Sequence, residues 1–156
     1  MKVSDLLNTN LVISELNSTK KNDVLNELLD LFKDDPRVLD LEKVKTAVMD
    51  RELIMSTGVG KGFAIPHGKT SAVTEILGAF GKSSKSIEYD SLDGKPVNLI
   101  FLLVGKDTLV SSHIKLLSRI SRLMNKDDFR ERLTDASTTE EIIYLFKEEE
   151  KHFGDV

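Results

Sequence analysis

The chain reads as an α/β fold, a single domain over residues 1–156 in which a central β-sheet is covered by helices on both faces. Three observations predict it. Apolar residues recur at helical spacing in both terminal thirds, whereas the middle carries runs of strand character, and that order suits a sheet packed between helical layers. The strongest run, Val97-Asn98-Leu99-Ile100-Phe101-Leu102-Leu103-Val104, is nearly continuous and is bounded by Pro96 and Gly105, the pattern of a strand buried on both faces. Finally, 156 residues is one domain's length. Such a domain buries roughly 70% of the surface its unfolded chain exposes, and no linker, repeat or low-complexity segment divides this one.

In order along the chain, Asn10 to Leu16 alternates in part and is β-like. Ser18 and Thr19 are plausible N-caps for a helix carrying Val24, Leu25, Leu28, Leu29 and Phe32 on one face. Asp34-Asp35-Pro36 ends it. A second helix is expected from Leu41 to Ile54. Phe63-Ala64-Ile65 is a short apolar strand stopped by Pro66, Glu75–Gly81 and Ser86–Tyr89 read as two strands, and Asp93-Gly94-Lys95-Pro96 as a turn. Helices then follow over Val110–Met124, Asp127–Leu133 and Thr138–Lys151. Ser137-Thr138-Thr139-Glu140-Glu141 offers a capping box to the last of them.

Composition excludes several chemistries. The sequence has no cysteine, so disulfides, thiolate metal sites and cysteine nucleophiles are out. Net charge is −4, which leaves no overall basic footprint for nucleic acid. No apolar run reaches the length of a membrane span, and no signal-peptide stretch follows Met1-Lys2-Val3-Ser4-Asp5; the cytoplasm is the expected compartment.

The three histidines are the natural starting point for chemistry. His152, behind Glu148-Glu149-Glu150, reads as an exposed residue near a fraying end. His67 stands directly after Pro66, where an apolar strand is cut, and is followed by Gly68; Gly58, Gly60 and Gly62 lie just upstream. Those glycines allow a tight loop with N–H groups facing an anion. Imidazole has a free ring nitrogen near neutral pH, so a histidine at such a strand end suits nucleophilic attack on phosphorus. Taken alone, the same residues also read as turn glycines and a loop-filling histidine. His113 shares a helical stripe with Leu109, Leu116, Ile120 and Leu123, facing inward near a helix start capped by Ser111 or Ser112, or begun earlier at Asp107-Thr108. The positive end of the dipole disfavours imidazolium there; alone, this residue reads as a core histidine. Arg51, at the end of the second helix, has the fork that suits a phosphate dianion, or is an ordinary ion-pair residue. Gly68-Lys69-Thr70 fails as a P-loop, because position 63 is Phe where glycine is needed. Gly58-Val59-Gly60-Lys61-Gly62 is not a dinucleotide fingerprint, and two distant histidines make no zinc site.

Together these segments carry a resemblance. Arg51-Glu52, then Ser56-Thr57-Gly58, then Gly60 and Gly62 leading into Ala64-Ile65-Pro66-His67-Gly68, closely resemble the signature of phosphotransferase-system IIA domains of the fructose/mannitol type. His113-Ile114-Lys115-Leu116-Leu117 looks like the leucine-rich helix that holds that family's second histidine. Asp128-Phe129-Arg130-Glu131-Arg132-Leu133 is similar to its C-terminal part. Val59 and Phe63 depart conservatively from the commoner isoleucine. The resemblance covers nearly the whole chain. It implies a mixed sheet between helices, and phosphoryl transfer from the histidine phosphocarrier protein to His67. From there the group would pass to a cysteine of a IIB domain, and on to a sugar entering through a membrane IIC domain. With no cysteine and no membrane-length run here, IIB and IIC are expected on separate polypeptides.

In that role His67 is the nucleophile, Arg51 neutralises charge on the phosphoryl group, and N–H groups near Thr57, Gly58 and Gly68 add donors. His113 positions the group without being modified. An apolar rim is expected around His67, with Phe63 and Val59 as candidates for rim or core. No metal or organic cofactor is required. The nitrogen-type regulatory branch, which uses the same histidine as a signal to transport or kinase partners, is the alternative; a degenerate binding module is disfavoured by retention of both histidines and Arg51.

Overall fold

The computed structural model describes residues 1–152. Two short 3-10 turns, Val3–Leu6 and Thr9–Leu11, lead into β1 (Val12–Ile13). Then come α1 (Lys21–Leu29), α2 (Leu41–Ile54), β2 (Phe63–Ala64), β3 (His67–Thr70), β4 (Leu77–Ile87) and β5 (Val97–Lys106). Helices α3 (Val110–Met124), α4 (Asp127–Asp135) and α5 (Thr139–Glu150) complete the described chain.

The sheet is mixed. Its order is β1-β4-β5-β2, and β3 also pairs with β5, further along the same strand. β4 and β5 are antiparallel, whereas β1 runs parallel to β4, and β2 and β3 run parallel to β5. Alternation along β5 explains why helices cover both faces. Ile100, Leu102 and Val104 enter one core with Val24, Leu28, Val44 and Val48 of α1 and α2. Leu99, Phe101 and Leu103 enter the other with Leu116, Ile120, Phe129 and Phe146 of α3, α4 and α5. Phe146 stands edge-on to Phe80, Phe101 and Phe129, at centroid distances of 5.2, 5.6 and 5.1 Å.

Several local expectations change. β4 is one strand from Leu77, where two were expected. Its second half, Lys82-Ser83-Ser84-Lys85-Ser86, is polar and lacks an apolar signal, and the register shifts between Lys82 and Ile87. The Asn10–Leu16 segment forms only two residues of strand, because Asn8 accepts from Asn10 N and turns Thr9–Leu11 into a 3-10 helix. Neither Ser18 nor Thr19 caps α1. Lys20 occupies the cap without a side-chain bond, since Thr19 O accepts from Glu88 N and keeps the chain extended to that point. Likewise α3 starts behind Leu109, with no side-chain cap from Ser111, Ser112 or Asp107. Asp40 and Thr138 do cap α2 and α5, accepting from Lys43 N and Glu141 N. The Glu141 carboxylate reaches back to Ser137 N, one residue before the reciprocal position of a capping box.

Candidate functional site

Both histidines lie along one stretch of β5. β3 pairs His67 with Leu103 and Lys69 with Gly105, so the strand after Pro66 carries His67 at its first position. The sequence does not show this strand: His67-Gly68-Lys69-Thr70 has no apolar alternation, and β5 imposes its extended form. Gly68 is buried against α2. A Cβ there would meet Val48 N at 3.0 Å and the Ala47 carbonyl carbon at 3.1 Å, so glycine lets β3 lie on the helix backbone. That contact brings the last turn of α2, with Arg51 and Glu52, beside His67.

His113 sits in the first turns of α3 and is buried, as its stripe predicts; Leu109, the expected start of that stripe, is partly exposed outside the helix. The imidazole occupies the place a side chain at Gly105 would fill, with Nδ1 2.4 Å from the Cβ position. The two histidine rings lie 6.0 Å apart, centroid to centroid, at 58°. Both ring nitrogens of His113 are buried without a hydrogen-bond partner among the described residues. A buried polar group normally has one, so the hydrogen-bonding capacity of His113 is left unspent. Burial, then the repulsion a protonated His67 and Lys69 would exert on a second charge, push His113 down from 6.5 to about 4, so its ring is neutral at physiological pH.

His67 is half-buried. Its Nδ1 lies 2.8 Å from the Ile65 carbonyl oxygen. A carbonyl only accepts, so the proton sits on Nδ1 and the lone pair on Nε2. Burial lowers the His67 pKa; the Ile65 carbonyl opposes this, and the Arg51 guanidinium lowers it further. The ring is therefore neutral at neutral pH, with a lone pair available on Nε2. Arg51 is half-buried, and its Nη1 donates to Met55 O at 3.0 Å, bridging the end of α2.

The Thr57 and Gly58 N–H groups are engaged within the protein, contrary to expectation. Thr57 N donates to the Glu52 carboxylate at 3.1 and 3.3 Å, and Gly58 N to Ser56 Oγ at 3.2 Å. The glycine cluster makes a turn, with Gly60, Lys61 and Gly62 all at positive φ. Phe63 is core, 1% exposed, whereas Val59 is 55% exposed and so remains available to an apolar rim. Leu53, Ile54 and Met55 at the end of α2, and Val110 and Ile114 beside His113, are exposed apolar side chains that extend it. Glu52, Lys21, Tyr89 and Gly105 adjoin the candidate residues or their partners without a motif of their own that marks them as site residues. Of these, Glu52 alone carried a signal, as the partner of Arg51 in the signature. His152 is exposed. Among the described residues, no three His, Asp or Glu side chains are grouped to hold a metal ion, and no helix is long and apolar enough to cross a membrane.

Comparison with known proteins identifies the family and the fold. The chain is 34% identical over 140 residues to a "PTS system fructose-specific EIIA component" of Haloferax volcanii, covering 90% of this chain and 91% of that protein. It is 32% identical over 151 residues, 97% of its length, to a "PTS system fructose-specific EIIABC component" of Bacillus subtilis, and spans only 24% of that larger protein. Among solved structures, the nitrogen regulatory protein IIA-Ntr of Neisseria meningitidis superposes with a TM-score of 0.86 at 28% identity, over 92% of this chain and 98% of that one. Residues 5–149 match the family described as "Phosphoenolpyruvate-dependent sugar phosphotransferase system, EIIA 2". The mixed sheet, the span of that match and the 34% identity together place this chain in the type 2 EIIA family of the phosphotransferase system.

Proposed function

We propose that this chain is a phosphocarrier that accepts a phosphoryl group on His67 Nε2 from the histidine phosphocarrier protein and passes it to a IIB cysteine for sugar uptake. The observation that carries this reading is the bond between His67 Nδ1 and the Ile65 carbonyl, which leaves Nε2 as the free nucleophile.

In the transfer, the P–N bond on the donor histidine breaks as a P–N bond to His67 Nε2 forms. The bonding pair of the broken bond returns to the donor ring. The lone pair spent by Nε2 makes the His67 ring cationic, and its Nδ1–H remains on the Ile65 carbonyl. That hydrogen bond becomes charge-assisted as the ring gains charge, so it is stronger in the transition state than in the ground state. Arg51 neutralises the phosphoryl oxygens, and the unpartnered ring of His113 supplies a donor to them. Passage onward reverses the chemistry: the P–N bond breaks, a P–S bond forms to a thiolate, and the ring returns to neutral. The exposed apolar rim of Leu53, Ile54, Met55 and Val59 suits two successive protein partners. Gly68 has a packing role in this scheme, and Thr57 and Gly58 shape the loop.

Intact-mass measurement after incubation with phosphoenolpyruvate, the general first enzyme and the phosphocarrier protein tests the reading. One added phosphate is expected on wild type and, more slowly, on His113→Ala and Arg51→Ala, and none on His67→Ala. An unmodified wild-type chain beside a charged donor refutes it. The likeness to IIA-Ntr supports a second reading, in which the same phosphohistidine regulates transport or kinase partners. Transfer from the phosphorylated chain to a IIB protein separates the two.

A further inference from the structure

We propose that the Lys21–Glu52–Tyr89 cluster, in which Glu52 and Tyr89 are buried and Lys21 half-buried, is a positioning device for His67: through Thr57 and the backbone pairing of Thr57 with Ile65, it fixes the carbonyl that holds the proton on His67 Nδ1. The proposal rests on the phosphocarrier reading for its purpose, although the geometry it invokes stands without it.

The chain of contacts is continuous. Glu52, on the last turn of α2, is only 6% exposed. Its carboxylate pairs with Lys21 Nζ at 2.8 Å and accepts from Tyr89 OH at 3.1 Å. Lys21 also lies over the Tyr89 ring, 4.8 Å from its centroid. The same carboxylate accepts from both Thr57 N and Thr57 Oγ1, so it grips one residue twice. Thr57 O in turn accepts from Ile65 N at 3.2 Å. Across that residue, Ile65 O accepts from His67 Nδ1 at 2.8 Å. Burial, and then the charge of Glu52, push the Tyr89 hydroxyl well above the usual phenol range, so it stays a donor.

A loop clamp for stability alone would not need an ion pair. Burying charged groups carries a desolvation cost, and an apolar contact at the end of α2 closes a loop without it. What a carboxylate adds here is directed acceptors on Thr57 and a negative charge near the site. That charge raises the His67 pKa, against Arg51 and Lys69, which lower it. It therefore favours the cationic ring formed when Nε2 attacks phosphorus. Glu52 acts through other residues, without touching the phosphoryl group.

The test uses Glu52→Gln and Tyr89→Phe in the full chain, with the imidazole tautomer of His67 read from nitrogen-15 NMR and the phosphorylation rate read in parallel. In wild type the Nδ1–H form is expected to dominate. Glu52→Gln is expected to raise the Nε2–H form to a detectable share and to slow phosphorylation at least tenfold. Tyr89→Phe, which keeps the carboxylate, is expected to shift both readouts in the same direction by less. A folded Glu52→Gln chain with wild-type tautomer overturns the proposal, even if its melting temperature falls, because a structural clamp alone predicts that result. If Glu52→Gln does not fold, Tyr89→Phe decides, and an unchanged tautomer there overturns it. The tautomer needs no phosphoryl donor, so an inactive wild type would sink the phosphocarrier reading and leave this measurement decisive.

Discussion

Gly105→Ala isolates the placement of His113 from its chemistry. The added Cβ would lie 2.4 Å from His113 Nδ1, 3.2 Å from Cε1 and 3.4 Å from Cγ. Non-bonded contacts between heavy atoms settle near ~3.5 Å, so the near edge of the ring must retreat by about 1 Å. A misplacement of about 1 Å costs a reaction on the order of 10²-fold, equivalent to about 2.7 kcal/mol in the barrier. Overpacking costs about 1–3 kcal/mol of stability, which a domain of this size tolerates. The assay is single-turnover phosphorylation of His67 from a charged donor, followed by intact mass, in wild type, Gly105→Ala, His113→Ala and the double variant. Gly105→Ala is expected to slow transfer roughly 100-fold. In the His113→Ala background the methyl group enters vacated space and is expected to add almost nothing. Equal slowing in both backgrounds, or a wild-type rate for Gly105→Ala, would mean that Gly105 does not seat His113.

Two other outcomes are expected. Gly68→Ala forces a Cβ against the backbone of α2, at 3.0 Å from Val48 N, and neither strand nor helix backbone yields cheaply; urea unfolding should show a loss of about 1–3 kcal/mol, and a stability within error of wild type would contradict the close approach. His113 titrates at about 4 folded against 6.5 in the ordinary state. Its unfolded form therefore binds a proton that the fold refuses, and stability is fully present above about 6.5 and lost as pH falls toward 4. Urea midpoints between pH 7.5 and 4.5 should fall more steeply for wild type than for His113→Gln; parallel curves would remove His113 from the acid response.

Elements with their own periodicity were legible in the sequence. The span Val110–Met124 agrees with α3 end to end because its apolar face is local, and the span Leu41–Ile54 agrees with α2, although Leu53 and Ile54 lie exposed outside the face that Val44 and Val48 bury. β5 was legible because burial on both faces writes a continuous apolar run. β3 was invisible for the opposite reason. Four residues containing a histidine, a glycine and a lysine become a strand only because β5 offers them a ladder. The polar half of β4 is a similar case: its pairing with β5 holds it in the strand, without any apolar signal of its own.

The same division runs through the site. From the signature and the helical stripe, His67, Arg51 and His113 emerge as candidates, since residue type and spacing are written in one dimension. Their relations are not. The 6.0 Å between the rings follows from β3 and α3 meeting at one stretch of β5, and the exclusion of a side chain at Gly105 follows from that approach. Likewise the proton on His67 Nδ1 depends on an Ile65 carbonyl whose direction is set through Thr57 by Glu52. Residue type and order set which groups are on hand. Their protonation and mutual distance come from packing, because both depend on burial and on partners from distant parts of the chain.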